Sequence, residues 1–428
     1  MVVVKKQINL KGFVNKNLQF ERMSQMTKNR NEINFFSHNH ETDYLLEEDK
    51  YLFKNNKSKY KFNVIGAGMI GKEHIRSTLM EGRATINGIY DTNDYSAEKT
   101  LEYFKDYYSL DLKKYESLEE ACYESEVDGI IICTPNYTHI EIVKKAIKSG
   151  KHIMLEKPMA TNIKDAYEIT KLANSYNAVF HIGLQYRYKP TYSEAYHEAI
   201  KRKSLGDIKM ISIMEHRVPF LDKVNQWNKF SEYSGGTLVE KCCHYFDLFN
   251  LFAQSTPEQV YATGGTAVNF VDFEYNNKNA DIVDNATVIV QYKNGVSASF
   301  SLCMFAPMFY EELVLCGDKG RLKTYENENY LPNTSSNTYL EVLRGEQGPS
   351  KTSIPSYPTK IQNEGGHLGG TYYEHKVFVD SIEKKDDKAV TAMEGFWSIV
   401  IGVAAEESIK KGKHINVGEL LENNEIIL

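Results

Sequence analysis

Hydrophobic and polar positions follow two different patterns on either side of residue 184. Between residues 61 and 183, short β-branched runs alternate with stretches of helical period, which is typical of a parallel sheet with crossover helices. The pattern predicts strands at 62–66, 84–90, 129–133, 152–156 and 179–183. It predicts helices at 71–80, 96–107, 139–149 and 163–176. We therefore expect a doubly wound α/β domain here.

Beyond residue 184 the predicted strands are longer and are joined by tight turns. They lie at 208–217, 257–266, 284–292, 296–305 and 311–316, with turns at 293–295 and 317–320. Hairpin spacing of this kind favours antiparallel pairing. Two helical stretches follow, at 372–384 and 393–411. The second part is thus expected to be an α+β domain with a large, mostly antiparallel open sheet.

The first 58 residues fit neither pattern, because they are polar and show weak periodicity. We expect an N-terminal extension at 1–58 that is weakly ordered or packed on the body. The doubly wound domain is then expected at 59–183 and the α+β domain at 184–428. His38, His40 and Glu41 lie close together in the extension, but an isolated polar tract is more often simply solvated, and we assign no metal.

Composition and charge exclude several classes of function. The chain has 51 Lys+Arg against 57 Asp+Glu, a net charge of -6, and no basic block that would bind nucleic acid. No run approaches the roughly 20 apolar residues of a membrane span, and the N-terminus lacks the features of a secretory signal. The six cysteines have no disulfide-scaffold spacing, so a reducing cytoplasm is expected.

A glycine-rich turn follows the first predicted strand and opens the first predicted helix. In a dinucleotide-binding turn, the first glycine permits the tight turn and the second lets a pyrophosphate approach the backbone. The third lets helix and strand pack closely. The residues expected to bind the cofactor here are Gly66, Gly68, Met69, Ile70 and Gly71.

Asp91 stands at the end of the second predicted strand, twenty positions after Gly71. A carboxylate there can accept hydrogen bonds from the adenosine ribose and repels a 2'-phosphate. Thr92 and Asn93 supply no positive charge, so NAD is expected rather than NADP. The alternative is a buried turn with a capping Asp.

Two further loops follow predicted strands, at the sheet edge where open α/β sheets bind ligands. Thr138 or Asn136 could instead simply cap the next helix. The cofactor contacts expected from these loops are Thr134, Pro135, Asn136, His139, Glu156 and Lys157.

Lys157 directly follows an apolar strand and precedes Pro158. Such a lysine is expected to point into the crevice, where partial desolvation beside a nicotinamide ring would lower the pKa of its ammonium group. It could then donate to a substrate oxygen. The alternative is a surface lysine in a tight turn.

A second chemical cluster follows the glycine pair at 235–236. The apolar spacing predicts one helix, on which Glu240 and His244 share a face at i and i+4. A neutral imidazole can take a hydroxyl proton, and Glu240 could orient it or contact substrate. A plain surface pair is the alternative. Cys242, Cys243 and His244 point about 100° apart on a helix, so we expect no zinc site.

Together, the Gly66–Gly71 turn, the Glu156-Lys157-Pro158 triplet and the helix after the glycine pair resemble the Gfo/Idh/MocA oxidoreductases over about residues 60–415. The resemblance implies a Rossmann domain, then an open sheet that mediates dimer or tetramer contacts. It implies hydride transfer between NAD(P) and a sugar or inositol hydroxyl, with Lys157 and His244 at the chemistry. Glu240 stands where the family usually has Asp, and Lys241-Cys242-Cys243 replaces an apolar-Gly-apolar run.

Other residues are expected at the cleft from their positions after predicted strands or near the glycine pair. Aromatic faces stack on sugar rings and Arg donates to hydroxyl or acidic groups. Each residue could also be purely structural. Gln185 is expected to contact the cofactor, and the expected substrate contacts are Arg187, Arg217, Trp227 and Tyr373, with Lys157, Glu240 and His244.

The sequence therefore favours a cytoplasmic, NAD-dependent oxidoreductase acting on a hydroxyl of a sugar, cyclitol or related polyol, as a homodimer or homotetramer. One alternative is an NAD-dependent glycosidase, in which transient oxidation of the sugar permits elimination without net NADH. Another is a non-enzymatic NAD-binding regulator, which would need neither Lys157 nor His244.

Overall fold

A six-stranded parallel sheet forms the first part of the described structure. The computed structural model describes residues 57–328, 337–385 and 389–427, so nearly all of the expected 1–58 extension, with His38 and His40, lies outside it. The strand order is β3-β2-β1-β4-β5-β6. The strands are β1 (Tyr60–Ile65), β2 (Ala84–Tyr90), β3 (Lys113–Lys114), β4 (Gly129–Ile132), β5 (His152–Glu156) and β6 (Phe180–Gly183).

The order of these strands reverses between β1 and β4, which creates a crevice at their carboxyl ends. The expected doubly wound domain is confirmed. The helices are α1 (Met69–Glu81), α2 (Asp94–Tyr108), α3 (Leu118–Tyr123), α4 (His139–Ala146) and α5 (Ile163–Asn174). The pattern missed β3 and α3, because two and six residues carry too little periodicity to be recognised.

A nine-stranded sheet forms the second part, in the order β16-β15-β14-β13-β7-β12-β11-β8-β17. Its pairs are antiparallel except that β7 and β12 are parallel, so the expected mostly antiparallel sheet is confirmed. The strands are β7 (Ile208–His216), β8 (Pro257–Gly265), β11 (Asn285–Tyr292), β12 (Ser297–Cys303), β13 (Phe309–Gly317), β14 (Gly320–Glu328), β15 (Asn337–Arg344), β16 (Lys351–Ser353) and β17 (Ile415–Asn416). A separate short hairpin joins β9 (Glu274–Tyr275) to β10 (Lys278–Asn279).

Helices cover one face of this sheet and return to the first domain. Alternate residues of β11 and β12 are buried. The helix Cys243–Ala253, α9, buries nine of its eleven residues. The ring of Phe378 on α11 lies 5.5 Å from that of Phe62 on β1, so the C-terminal part of the chain helps to close the parallel sheet. The helices are α6 (Pro190–Tyr196), α7 (Ser231–Ser234), α8 (Thr237–Glu240), α9 (Cys243–Ala253), α10 (Thr359–Glu364), α11 (Gly370–Ile382), α12 (Ala392–Lys411) and α13 (Val417–Asn423).

None of these helices, within the ranges that the structure describes, combines the length and the apolar content of a membrane span. The domain limits at 58 and 183 stay predictions.

Candidate active site

The glycine turn between β1 and α1 has the geometry that a dinucleotide requires. Gly66 has φ +96°, and a Cβ there would lie 2.7 Å from the carbonyl group of Cys133. A Cβ at Gly71 would lie 2.1 Å from the Gly66 carbonyl oxygen, whereas one at Gly68 would meet nothing within 4 Å. Gly68 also caps α1 without a side-chain hydrogen bond. The helix N-terminus therefore presents open backbone N–H groups, which suit a phosphate.

Asp91 closes this turn from β2. Its Oδ2 accepts a hydrogen bond from the Ala67 N–H at 2.7 Å, and its Oδ1 accepts one from the Asn93 N–H at 2.8 Å. The side chain stays half-exposed. A carboxylate is thus fixed beside the glycine turn with lone pairs left over for a ligand.

The loop after β4 is tied to the loop after β5 by one imidazole. His139 Nδ1 lies 3.0 Å from the Pro158 carbonyl and its Nε2 lies 3.0 Å from the Thr134 carbonyl. Burial lowers the pKa of His139, so the ring is neutral. The neutral ring has one N–H and so donates to only one of these two carbonyls. Among the described residues, the buried Nδ2 of Asn136 has no hydrogen-bond partner. That free donor fits a ligand in the crevice.

Lys157 leaves β5 toward the second domain. Its Nζ donates to the Glu240 carbonyl oxygen at 3.2 Å, and its backbone N–H donates to Glu156 Oε2 at 3.0 Å. Burial acts to lower the pKa of Lys157, but Glu240, Cys243 and Glu156 raise it above its ordinary value. The expectation of a lowered pKa is wrong, because nearby carboxylates outweigh desolvation.

The single helix expected after the glycine pair is wrong, because it is broken between α8 and α9. The face that Glu240 and His244 are expected to share stays a prediction. Lys241 and Cys242 separate α8 from α9, and the Cys242 N–H bonds back to the Thr237 carbonyl instead of continuing the ladder. Both Glu240 and His244 are buried, so they are not a plain surface pair. No hydrogen bond joins their side chains within the described residues. At the break, the Glu240 carbonyl accepts from Lys157 Nζ and, at 3.6 Å, from Cys243 Sγ.

His244 is buried against a tyrosine. Its ring stacks on Tyr186 with centroids 3.9 Å apart and planes inclined by 9°. Its Nδ1 has no hydrogen-bond partner in the part of the chain that the structure describes. Burial, followed by the charges of Lys157 and Lys241, lowers the pKa of His244 well below its ordinary value. A neutral imidazole at this point can receive a proton.

The arginines expected at the cleft are already engaged. Arg187 Nε donates to Asp247 Oδ2 at 2.6 Å, and its Nη1 donates to Glu394 at 2.7 Å. Arg217 donates through Nε to the Val218 carbonyl at 3.0 Å. Arg187 thus links α9 to α12, whereas Arg217 keeps part of its guanidinium available.

The remaining predicted contacts lie at three different places. Gln185 is buried with its Oε1 unpartnered. Trp227 lines a cleft of about 390 Å³ together with Tyr137 and other aromatic residues. Tyr373 lies with its ring 4.2 Å from that of Tyr357. The structure therefore brings Lys157, Glu240 and His244 together and places Trp227 in a neighbouring aromatic cleft.

Glu156 points into a buried cluster that the sequence pattern missed. Its Oε1 lies 2.7 Å from His74 Nε2, while His74 Nδ1 lies 2.8 Å from His375 Nε2. One ring nitrogen of His74 and one carboxylate oxygen from each of Glu156 and Glu374 lie within 4.8 Å of one another. These residues come from α1, β5 and α11, so no pattern within a short stretch of sequence predicts that they form a cluster. Glu156 therefore holds the Lys157 backbone from the side away from the cleft.

Comparisons with known proteins agree with this geometry. One family model, described as an oxidoreductase family NAD-binding Rossmann fold, matches residues 60–184, and its C-terminal alpha/beta domain partner matches residues 197–417. The chain belongs to the Gfo/Idh/MocA oxidoreductase family.

Three proteins that are similar to this Gfo/Idh/MocA family member have names that state a reaction. It is 24% identical to a myo-inositol 2-dehydrogenase of Thermotoga maritima, over 84% of this chain and 99% of that protein. It is 30% identical to a 2,7-anhydro-N-acetylneuraminate hydratase of Escherichia coli K12, over 48% of this chain and 52% of that protein. A levoglucosan dehydrogenase structure in complex with NADH shares its fold, with a TM-score of 0.68 and 18% identity over 84% of this chain and 99% of that one.

Proposed function

We propose that the protein is an NAD-dependent oxidoreductase that transfers hydride between a hydroxyl of a sugar, cyclitol or related polyol and the nicotinamide. The observation that carries the proposal is the contact of Lys157 Nζ with the Glu240 carbonyl at 3.2 Å. It holds a cationic donor from the cofactor-binding domain over the broken helix that carries His244. The names of the inositol and levoglucosan dehydrogenases support the substrate class.

In this mechanism the neutral His244 takes the hydroxyl proton, and Lys157 stabilises the developing alkoxide as a hydrogen-bond donor. Bound NAD supplies the hydride acceptor. Glu240, at the edge of the cleft, accepts a hydrogen bond from a neighbouring hydroxyl. Arg217, Trp227 and Tyr373 are the proposed further substrate contacts. Arg187 is the weakest of the expected contacts, since Asp247 and Glu394 already occupy its donors.

NAD is the proposed cofactor because of Asp91. A carboxylate fixed beside the glycine turn accepts from ribose hydroxyls and repels a 2'-phosphate. The open helix N-terminus at Gly68 and the free Nδ2 of Asn136 supply the neighbouring donors.

A redox-neutral reaction is the second candidate. The E. coli relative is named as a hydratase, and hydration leaves the overall oxidation state of the substrate unchanged. An NAD-dependent glycosidase would likewise give no net NADH. The same Lys157 and His244 would serve both reactions.

We further propose a homodimer or homotetramer that assembles through the outer face of the nine-stranded sheet, where Met210, Tyr261 and Ile289 are exposed. The six free cysteines are consistent with a cytoplasmic location. Light scattering of the purified protein measures the assembly.

The test incubates the protein with NAD and a panel of inositols, free sugars and aryl glycosides, recording NADH absorbance and aglycone release. Sustained NADH formation supports the dehydrogenase, and aglycone release without NADH supports the glycosidase. Lys157→Met and His244→Ala should each reduce turnover at least about 100-fold. Lys148→Met, at an exposed site, is the control. Near-normal turnover by either active-site variant contradicts the role assigned to that residue.

A further inference from the structure

A cleft of about 390 Å³ opens beside the loop that follows β4. Tyr137 lines it from that loop, whereas Trp227, Phe230 and Tyr233 line it from the second domain. The ring centroid of Tyr137 lies 5.1 Å from that of Tyr233 and 6.4 Å from that of Trp227. We call this space the aromatic cleft. Its volume falls within the range of small-molecule sites, about 300–1,000 Å³.

Two tyrosines of the aromatic cleft keep ring surface open to solvent. Tyr137 is 43% exposed and Tyr233 is 39% exposed. The plane of the Tyr137 ring is inclined by 56° to that of Tyr233 and by 70° to that of Trp227, so neither pair stacks face to face. Tyrosine and tryptophan combine an apolar face with a polar tip. Open rings of this kind suit the C–H face and the hydroxyl groups of a sugar ring.

The polar residues of the aromatic cleft favour a neutral ligand. Its charged lining residues, Glu232 and Lys278, form an ion pair with each other at 2.5 Å. The amide side chains of Asn225 and Asn276 also line the cleft, and within the described residues they have no hydrogen-bond partner. An amide offers both donors and acceptors. These two side chains can therefore bind hydroxyl groups without selecting a charge.

Both walls of the aromatic cleft continue into segments that carry proposed active-site residues. In the first domain, Tyr137 directly follows Asn136, a proposed cofactor contact. In the second domain, the wall precedes Glu240 in the chain, with Gly235 between them. A Cβ at Gly235 would lie 2.6 Å from the Thr161 carbonyl oxygen. The second wall therefore packs closely against the loop that follows β5 and carries the proposed donor lysine.

The residues proposed for the chemistry do not themselves line this space. In the part of the chain that the structure describes, the lining of the aromatic cleft includes neither Lys157, Glu240 nor His244. A sugar ring in the cleft is therefore not the ring that loses hydride. It is a neighbouring part of the same substrate.

We propose that the aromatic cleft binds a second sugar ring, so that the substrate is a glycoside such as a disaccharide. This inference rests on the proposed oxidoreductase function. The first ring lies beside His244, where one of its hydroxyl groups becomes a ketone. Its hydride reduces NAD to NADH, its proton passes to His244, and the glycosidic bond stays intact in that oxidation.

The first test compares disaccharides with methyl glycosides of the same first ring, using NAD. Cellobiose is paired with methyl β-glucoside, maltose with methyl α-glucoside, and lactose with methyl β-galactoside. Each pair keeps the first ring and its anomeric configuration, and differs in the second ring. We expect kcat/KM to be at least about tenfold higher for one or more of the disaccharides, mainly through KM. Equal or higher kcat/KM for every methyl glycoside would overturn the proposal.

The second test removes one ring of the cleft. Tyr233→Ala should lower the ratio of kcat/KM between disaccharide and methyl glycoside about tenfold. Tyr107→Ala is the matched control, because it removes an exposed tyrosine whose ring also lies 5.1 Å from that of another tyrosine, Tyr103, on α2. A ratio unchanged by Tyr233→Ala, or lowered equally by Tyr107→Ala, contradicts the assignment.

Tryptophan fluorescence separates this proposal from the proposed function. The chain has two tryptophans, and Trp397→Phe leaves Trp227 as the reporter. Cellobiose, maltose, lactose and their methyl glycosides are titrated into this full-length variant with NAD at a fixed concentration, while NADH absorbance is recorded. A saturable change in emission with a disaccharide but not with its methyl glycoside, without NADH from any sugar, supports the second-ring site while the oxidoreductase proposal fails. NADH formation from methyl glycosides, with no change in emission from any disaccharide, overturns the second-ring site and leaves the proposed function intact.

Discussion

At the residue scale, the pKa values of the two proposed catalytic residues, His244 and Lys157, are shifted in opposite directions. The pKa of His244 lies well below its ordinary value because of burial and nearby cations. The pKa of Lys157 lies above its ordinary value because Glu240 and Glu156 outweigh burial. At neutral pH the cleft therefore holds a free base beside a charged donor.

This separation predicts a broad pH optimum. Activity should fall only below the lowered pKa of His244, where the base is protonated, and above the raised pKa of Lys157, where the donor is lost. We expect kcat/KM to be flat from about pH 7 to about pH 10. A profile measured with the preferred substrate, corrected for cofactor stability, checks this. An acid limb centred near pH 7 would contradict the lowered pKa of His244.

Glu374 is a second residue at this scale, and its buried environment should make the stability of the protein depend on pH. Both of its carboxyl oxygens are buried and have no hydrogen-bond partner within the described ranges. His181 Nε2 lies 3.6 Å from Glu374 Oε1. Burial, followed by the charge of Glu156, raises the pKa of Glu374 well above its ordinary value. The stability that this protonated form contributes is present below the unfolded pKa of about 4.3 and is lost as pH rises through the folded pKa.

Glu374→Gln keeps the shape and removes the titration. Its melting temperature should therefore exceed that of the parent protein by several degrees more at pH 8 than at pH 5. Glu98→Gln, at an exposed site on α2, should show no such pH-dependent difference. Equal effects of Glu374→Gln at both pH values would show that Glu374 is ionised throughout.

At the scale of the element, two glycines of the turn between β1 and α1 have different roles. Gly71 allows close packing of the protein, whereas Gly68 leaves space for a ligand. A Cβ at Gly71 would collide with the Gly66 carbonyl at 2.1 Å, whereas a Cβ at Gly68 would meet no protein atom within 4 Å. Gly68 also has φ -73°, which any residue can adopt.

Two alanine variants test this separation. Gly71→Ala should lower the melting temperature, with a cost of about 1–3 kcal/mol for forced overpacking. Gly68→Ala should leave the melting temperature unchanged but weaken NAD binding about tenfold or more, because the new methyl group occupies the space beside the helix N-terminus. Calorimetric titration with NAD and thermal unfolding measure the two effects. Unchanged NAD affinity of Gly68→Ala would place the cofactor elsewhere.

At the scale of the whole molecule, a buried ionic cluster joins α6 to the large sheet. Lys189 Nζ lies 2.5 Å from Glu311 Oε2 and also contacts Glu326. Tyr245 donates to Glu311 Oε1 at 2.5 Å and Tyr192 donates to its Oε2 at 3.1 Å. The connection between the two domains is therefore anchored on β13 and β14.

Removing the positive charge of Lys189 should lower the free energy of unfolding of the protein. Lys189→Met leaves Glu311 buried without its counter-charge, at an expected cost of about 3–5 kcal/mol. Lys323→Met breaks the partly exposed pair with Glu312 on the same two strands, which is more open to solvent than the Lys189 cluster, and should cost under about 1 kcal/mol. Chemical denaturation of both variants makes the comparison. A similar small loss for both would mean that the buried cluster adds little.

The sequence by itself determined the α/β order, the glycine turn and the positions of Lys157 and His244, because local periodicity and short motifs encode them. It missed the break between α8 and α9, since apolar spacing continues across Lys241 and Cys242. The directions of both pKa shifts were decided by tertiary structure. The charges that cause them include those of Glu156, Glu240 and Lys189, which lie far apart along the chain. Electrostatic interaction depends on distance and burial rather than on spacing along the chain.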